Sequence, residues 1–194
     1  PGGRVDVSGS RLDVGTEEVG GGIALTGEAI NIDGASELIA SGSTGGGLIE
    51  VGGSWQNSDA SVRQAVRTQI EGGAMLDTSA TEEGNGGEIV VWSDITDPQS
   101  LTTVNGTLLA KGGPHGGDGG RIETSGAELI LEAGLKANAG SVDGKAGLWL
   151  QDPFDYTIDV SAASLISSTL NSGTNVTVTT TAIDSNQGAT GEGS

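Results

Sequence analysis

The chain has 194 residues, of which 36 are Gly, 4 are Pro and none is Cys, and its 26 acidic and 8 basic residues give a formal net charge of −18. That balance opposes binding to nucleic acid, which requires clustered Lys and Arg, and to anionic lipid. Disulfide staples and a collagen-like G-x-y repeat are excluded, and no stretch approaches the ~18 apolar residues of a membrane span.

Charged residues are only 18% of the chain, and aliphatic residues recur with period two, so the sequence predicts an ordered β protein and not a disordered one. Aromatic residues are 3%, which points to a narrow core of stacked Val, Ile, Leu and Ala. A glycine pair leads into a short alternating strand at Gly2-Gly3, Gly21-Gly22, Gly46-Gly47, Gly86-Gly87 and Gly119-Gly120. Such recurrence of turn plus strand is the mark of a chain built by stacking one small unit. The chain opens at Pro1 with no basic stretch leading into an apolar one, and is expected to be a piece of a longer polypeptide.

Residues 1–53 repeat most cleanly. Val5 and Val7 alternate with polar neighbours, then Leu12 and Val14, Ile23 and Leu25, Ile30 and Ile32, Leu38 and Ala40, and Ile49 and Val51. Antiparallel hairpins in a sandwich are the competing arrangement. Asp33-Gly34, Asn105-Gly106 and Asp143-Gly144 are turn dipeptides, but they recur once per repeat and not between every strand pair, which favours the solenoid. Residues 54–70 break the pattern with a glycine-free run and read as a projecting insertion. The 40-residue gap between Gly47 and Gly87 fits two coils, one of them carrying this insertion. The repeat resumes with Ile89 and Val91, Ile122, Leu129 and Leu131, and Leu148-Trp149-Leu150. Residues 1–150 are thus expected to form seven or eight coils of parallel β-solenoid. Residues 151–194 differ: a short helix over Ala162–Leu170, a Thr-rich strand over Val176–Thr181 and a flexible tail from Gln187.

Few residues suggest chemistry. Gly116-Gly117-Asp118-Gly119-Gly120 holds one partial copy of a calcium-binding nonapeptide with Asp misplaced, so a tight turn is expected and Ca2+ only as the lesser reading. His115 has no His or Cys companion. Asp94 with Asp97, Asp152 with Asp155, and Glu82 with Glu83 are the carboxylate pairs a polysaccharide-cleaving enzyme would need, but sugar-stacking aromatics are scarce. No catalytic, cofactor or metal residue is assigned. Trp92 and Trp149 each close a strand pattern and are expected to cover the coil core. Trp55, inside the insertion, is a candidate interface residue. So are Val176 and Val178, whose strand suits addition to an exposed sheet edge.

Val90-Val91-Trp92-Ser93-Asp94, the glycine-rich run from Asn105 to Gly126, and Ala146-Gly147-Leu148-Trp149-Leu150-Gln151-Asp152-Pro153 resemble the filamentous-haemagglutinin-like exoproteins of two-partner secretion. The resemblance covers residues 71–160 well and 1–70 more loosely. It implies a right-handed parallel β-helix in the repeat region of a very long chain, secreted across the outer membrane or attached to the cell surface, with adhesive, aggregative or biofilm roles. On this reading the chain is a non-catalytic structural or adhesive segment. Its expected partners are a host or neighbouring cell surface, a polysaccharide, or a second copy stacked end to end into a filament. A carbohydrate-active β-helix enzyme and a glycan-binding module are the alternatives.

Overall fold

The structure, a computed structural model, describes residues 2–180. Its strands are short because each apolar pair is closed off by a turn. The first coil contains β1 (Arg4–Val7), β2 (Arg11–Asp13) and β3 (Gly22–Leu25), and the second β4 (Ala29–Ile32), β5 (Glu37–Ile39) and β6 (Leu48–Val51). The third contains β7 (Arg67–Ile70), β8 (Met75–Asp77) and β9 (Glu88–Trp92), and the fourth β10 (Leu101–Val104), β11 (Thr107–Leu109) and β12 (Arg121–Gly126). The fifth contains β13 (Glu128–Leu131), β14 (Lys136–Asn138) and β15 (Leu148–Pro153). Helix α1 (Val160–Asn171) and β16 (Asn175–Val178) follow.

Equivalent strands of successive coils pair in parallel, giving two five-stranded sheets and a third of six strands that ends on β16. The chain is therefore a β-solenoid with three faces. It holds five complete coils and one further rung, about 24 Å of stacked strands at ~4.8 Å per rung. The expected seven or eight coils are too many. The run from β6 to β9 is a single coil, because Leu48 and Glu88, 40 residues apart, are direct partners. The insertion lengthens that coil without adding a rung.

Period-two alternation turns one residue in two toward the axis, and parallel stacking lines these residues into rows. Ile23, Ile49, Ile89, Ile122, Trp149 and Val176 form a row in the third sheet. Leu12, Leu38, Leu76, Leu108 and Ala137 form one in the second. Val7, Ile32, Ile70, Val104 and Leu131 form one in the first. The middle members are fully buried, and the rows fray toward the ends, where Val5, Leu12 and Leu131 are only partly covered. Two inward rows are not wholly apolar: Thr124 and Gln151 sit between Val91 and Val178 in the third sheet, and Thr68 and Thr102 between Ile30 and Leu129 in the first. The Thr68 and Thr102 hydroxyls donate to the Trp92 and Ser125 carbonyls at 2.6 and 2.7 Å, which satisfies backbone acceptors where the third sheet turns into the first.

The glycine pairs have one physical cause. At the corner entering the third sheet, a Cβ on Gly47 would lie 2.0 Å from the Gly21 carbonyl oxygen. The same clash recurs between Gly87 and Gly47 at 2.0 Å, Gly120 and Gly87 at 2.0 Å, and Gly147 and Gly120 at 2.1 Å. Those carbonyls accept hydrogen bonds from the residue after the next glycine, as in Glu88 N to Gly47 O at 2.9 Å and Arg121 N to Gly87 O at 2.9 Å. Gly2-Gly3 belongs elsewhere, since it leads into the first sheet, which explains its irregular spacing.

The helix expected over 162–170 is α1, with Asp159 accepting from Ala162 N at 2.8 Å as its N-cap. It packs on β14 and β16 and sends Leu165 into the core, so it covers part of the last coil. The expected strand is β16, and the tail from Gln187 lies outside the described residues. The third-sheet strand β15 runs through residue 150, where a boundary was expected, to Pro153.

Replacing Gly87 or Gly120 by Ala should push adjacent coils apart. We expect a loss of about 1–3 kcal/mol in urea unfolding for each, whereas Gly3→Ala, which meets no neighbouring atom, should be close to neutral.

Candidate interaction surface

A solenoid normally leaves the outer faces of its sheets to solvent. Here the third sheet is covered. The chain leaves at Gly52 and returns at Ala65, whose N–H donates to the Gly52 carbonyl at 2.8 Å, so the insertion is pinched shut at its base. The Ala65 carbonyl then accepts from Asp94 N at 2.8 Å, tying the base to the next corner. Gly53 lies flat on the Trp92 indole, where an added Cβ would come within 2.4 Å of the ring. Trp92 points outward, yet it is 1% exposed, and its Nε1 donates to Gln64 Oε1 at 2.9 Å. Trp55 begins a 3-10 turn and stacks on the Arg121 guanidinium at 4.3 Å. Gln56 and Asn57 both adopt left-handed backbone, with φ of 47° and 50°, a strain on the order of 1 kcal/mol each.

Under this cover the outward residues form their own rows. Glu50, Val90, Glu123 and Leu150 align in one, and Trp92, Ser125 and Asp152 in another. Glu123 is 0% exposed, and it accepts from Gln56 N at 2.8 Å and from Ser125 Oγ at 3.0 Å. Burial pushes its pKa up to about 7; the two hydrogen bonds oppose this, and nearby Asp152 and Glu88 add to it. Glu50 is raised as well, first by burial and then by Glu88 and Asp59.

The structure separates the candidate residues. Trp55 is half-buried and engaged within the chain. Val176 and Val178 continue inward rows, Val176 against the core, so β16 offers an outer backbone edge and not these side chains. Trp149 is inside the core, with Nε1 donating to Thr124 Oγ1 at 3.1 Å, while Trp92 covers the sheet from outside. Asp94 and Asp97 each close a local turn, accepting from Thr96 N and Gln99 N at 2.9 Å. Asp152 is buried beside Glu123, a partner that sequence spacing did not suggest. Glu82 is exposed, 3.7 Å from His115. Gly116 and Gly117 have φ of 129° and 122°, which only a glycine turn accommodates readily, and Asp118 Oδ1 accepts from Lys145 N at 2.8 Å, holding the next coil's turn.

The two ends of the solenoid differ. At the first coil, Val5, Leu12, Val14 and Leu25 are only partly covered. At the last, α1 occupies the end of the second sheet, and β16 adds a rung to the third alone. A second copy stacking there would meet the helix first.

No family model and no curated protein matches the chain. Among solved structures it is similar to the HMW1 secretion domain from Haemophilus influenzae, with a TM-score of 0.59 and 22% identity. The match covers 78% of this chain and 39% of that one. The likeness is one of fold. No helix among the described residues is long and apolar enough to cross a membrane.

Two outcomes follow from the covered face. A double-mutant cycle between Trp55→Ala and Arg121→Ala should give a coupling of about 0.5–1 kcal/mol by chemical denaturation. Glu123 binds its proton more tightly in the folded chain, at about 7, than at its ordinary 4.5. Its contribution is therefore fully present below the lower value, declines as pH rises through the window between them, and is lost above the upper one. Unfolding free energy should fall across that window by up to roughly 3 kcal/mol in the native sequence, and this slope should vanish in Glu123→Gln.

Proposed function

We propose that this chain is a non-catalytic structural or adhesive segment of a large bacterial exoprotein of the two-partner secretion class, exported to the cell surface or beyond. The observation that carries the reading is the fold itself: a stack of coils in parallel register with aliphatic rows inside. The fold likeness to a secretion domain supports export. The surface agrees with a scaffold role. Four of its eight basic side chains are engaged in ion pairs: Arg4 with Asp6 at 2.6 Å, Arg11 with Asp13 at 2.8 Å and with Glu37, Arg63 with Glu28 at 3.4 Å, and Arg121 with Glu88. With the insertion closed, the buried carboxylates Glu123 and Asp152 lie beneath it, out of reach of a polysaccharide chain.

A glycan-binding module is the second reading, favoured by a shallow groove of about 450 Å³ along the exit of the second sheet. Asp77, Ser79, Lys111, Asn138 and Ser141 line it, a mixture of hydroxyl, amide and charged groups suited to sugar hydroxyls. A glycan array combined with a polysaccharide-degradation assay separates the readings. The structural reading expects no turnover and no selective glycan signal. Selective binding lost in Lys111→Ala and Asn138→Ala would establish the module, and turnover lost on a single Asp→Asn change would establish an enzyme.

A further inference from the structure

Residues 53–64 lie over the third sheet through Gly53 and Gln64 on Trp92, Trp55 on Arg121 and Gln56 on Glu123, and the last of these contacts is to a fully buried ionisable group. We propose that this segment is an acid-locked cover, closed while Glu123 carries a proton and lifted when Glu123 ionises. In the closed site Oε2 accepts from Gln56 N and Oε1 from Ser125 Oγ, and both bonds favour the charged form. What disfavours the ionised carboxylate there is full burial among like charges. Its neighbours of like charge are Asp152 on β15 and Glu88 on β9, with Glu50 on β6 and Asp59 on the cover itself adding the same sign. Arg121, on the same strand, is the cation of this face, and it is paired with Glu88 and stacked under Trp55. A buried carboxylate without its own cation is relieved by hydration, and here hydration means raising the cover. Burial places the transition near neutrality.

The cover is built to yield. Gln56 and Asn57 relax from left-handed backbone when it lifts. Its base, the Gly52–Ala65 hydrogen bond, stays in place, so the solenoid behind it is undisturbed. Lifting uncovers Trp92, Val90 and Leu150, and the face becomes an apolar patch bordered by carboxylates.

The test uses the full chain with 5-fluorotryptophan at its three Trp positions and a neutral, soluble paramagnetic agent. In the native sequence the Trp92 fluorine signal should be protected at about pH 5.5 and broadened several-fold at about pH 8.5, with a midpoint near 7. Trp149, in the core, should be protected throughout and reports that the fold is intact. Glu123→Gln should stay closed at both pH values. Asp152→Asn, which removes a like charge, should move the midpoint down in pH, because less repulsion favours the ionised carboxylate and the cover then opens at lower pH. Equal protection of Trp92 at both pH values overturns the proposal, as does a pH response that survives in Glu123→Gln. If Glu123→Gln loses the protected Trp149 signal, Asp152→Asn decides, and an unmoved midpoint overturns the proposal.

Discussion

The contact on which this molecule depends is backbone against backbone at the glycine corner. A carbonyl from one coil occupies the space a Cβ would need in the next, and the same carbonyl accepts a strand hydrogen bond. This fixes the register of the five complete coils in the third sheet, while at the last rung Thr174 takes the corner place opposite Gly147. Once Gly47 rests on Gly21, the Ile49–Ile23 pairing follows, and the inward row is determined. A side chain at this corner between complete coils would separate them along the whole row. The sequence therefore carries glycine at a place where conformational entropy alone would disfavour it.

With the corner fixed, the coils tolerate large differences in length. Twenty-six residues separate Gly22 from Leu48, and 40 separate Leu48 from Glu88, yet both pairs are in register. The extra chain is expelled at Gly52 and recovered at Ala65, where one hydrogen bond closes the loop. Loop closure costs little additional entropy as a loop grows, so a long excursion is accommodated once its base is pinned. The excursion then covers outward residues that would otherwise be exposed, and the third sheet becomes buried on both sides around Val90 and Trp92.

That double burial gives the face its electrostatics. Glutamate on an outer strand position is unremarkable in water, and Glu88 and Glu50 are only part-buried. Under the insertion the same residue type at Glu123 loses its water, gains two hydrogen bonds and stands beside Asp152. Its proton affinity is then a property of the cover's position. The opposite end of the chain shows a related economy of parts: α1 and β16 together replace a sixth coil, the helix covering the second sheet while the strand extends the third.

The parallel solenoid was legible in the sequence because its two causes are local. Period-two alternation names the inward residues, and recurrent glycine pairs name the corners, so Ile30, Ile49, Ile89 and Ile122 could be placed inside from spacing alone. The short helix expected over 162–170 is α1, which extends it to Val160–Asn171. The coil count was not legible, because length in residues says nothing about whether a 40-residue span closes on itself; only the Gly52–Ala65 and Leu48–Glu88 pairings decide that. Nor could the chain order reveal that Trp55, Glu123 and Asp152 share one covered face, or that Trp92 and Trp149, alike in pattern, lie on opposite sides of a sheet. Alternation fixes which residues share a side within a strand, but which side is inner, and what folds over the outer one, is settled when coils stack and distant segments meet.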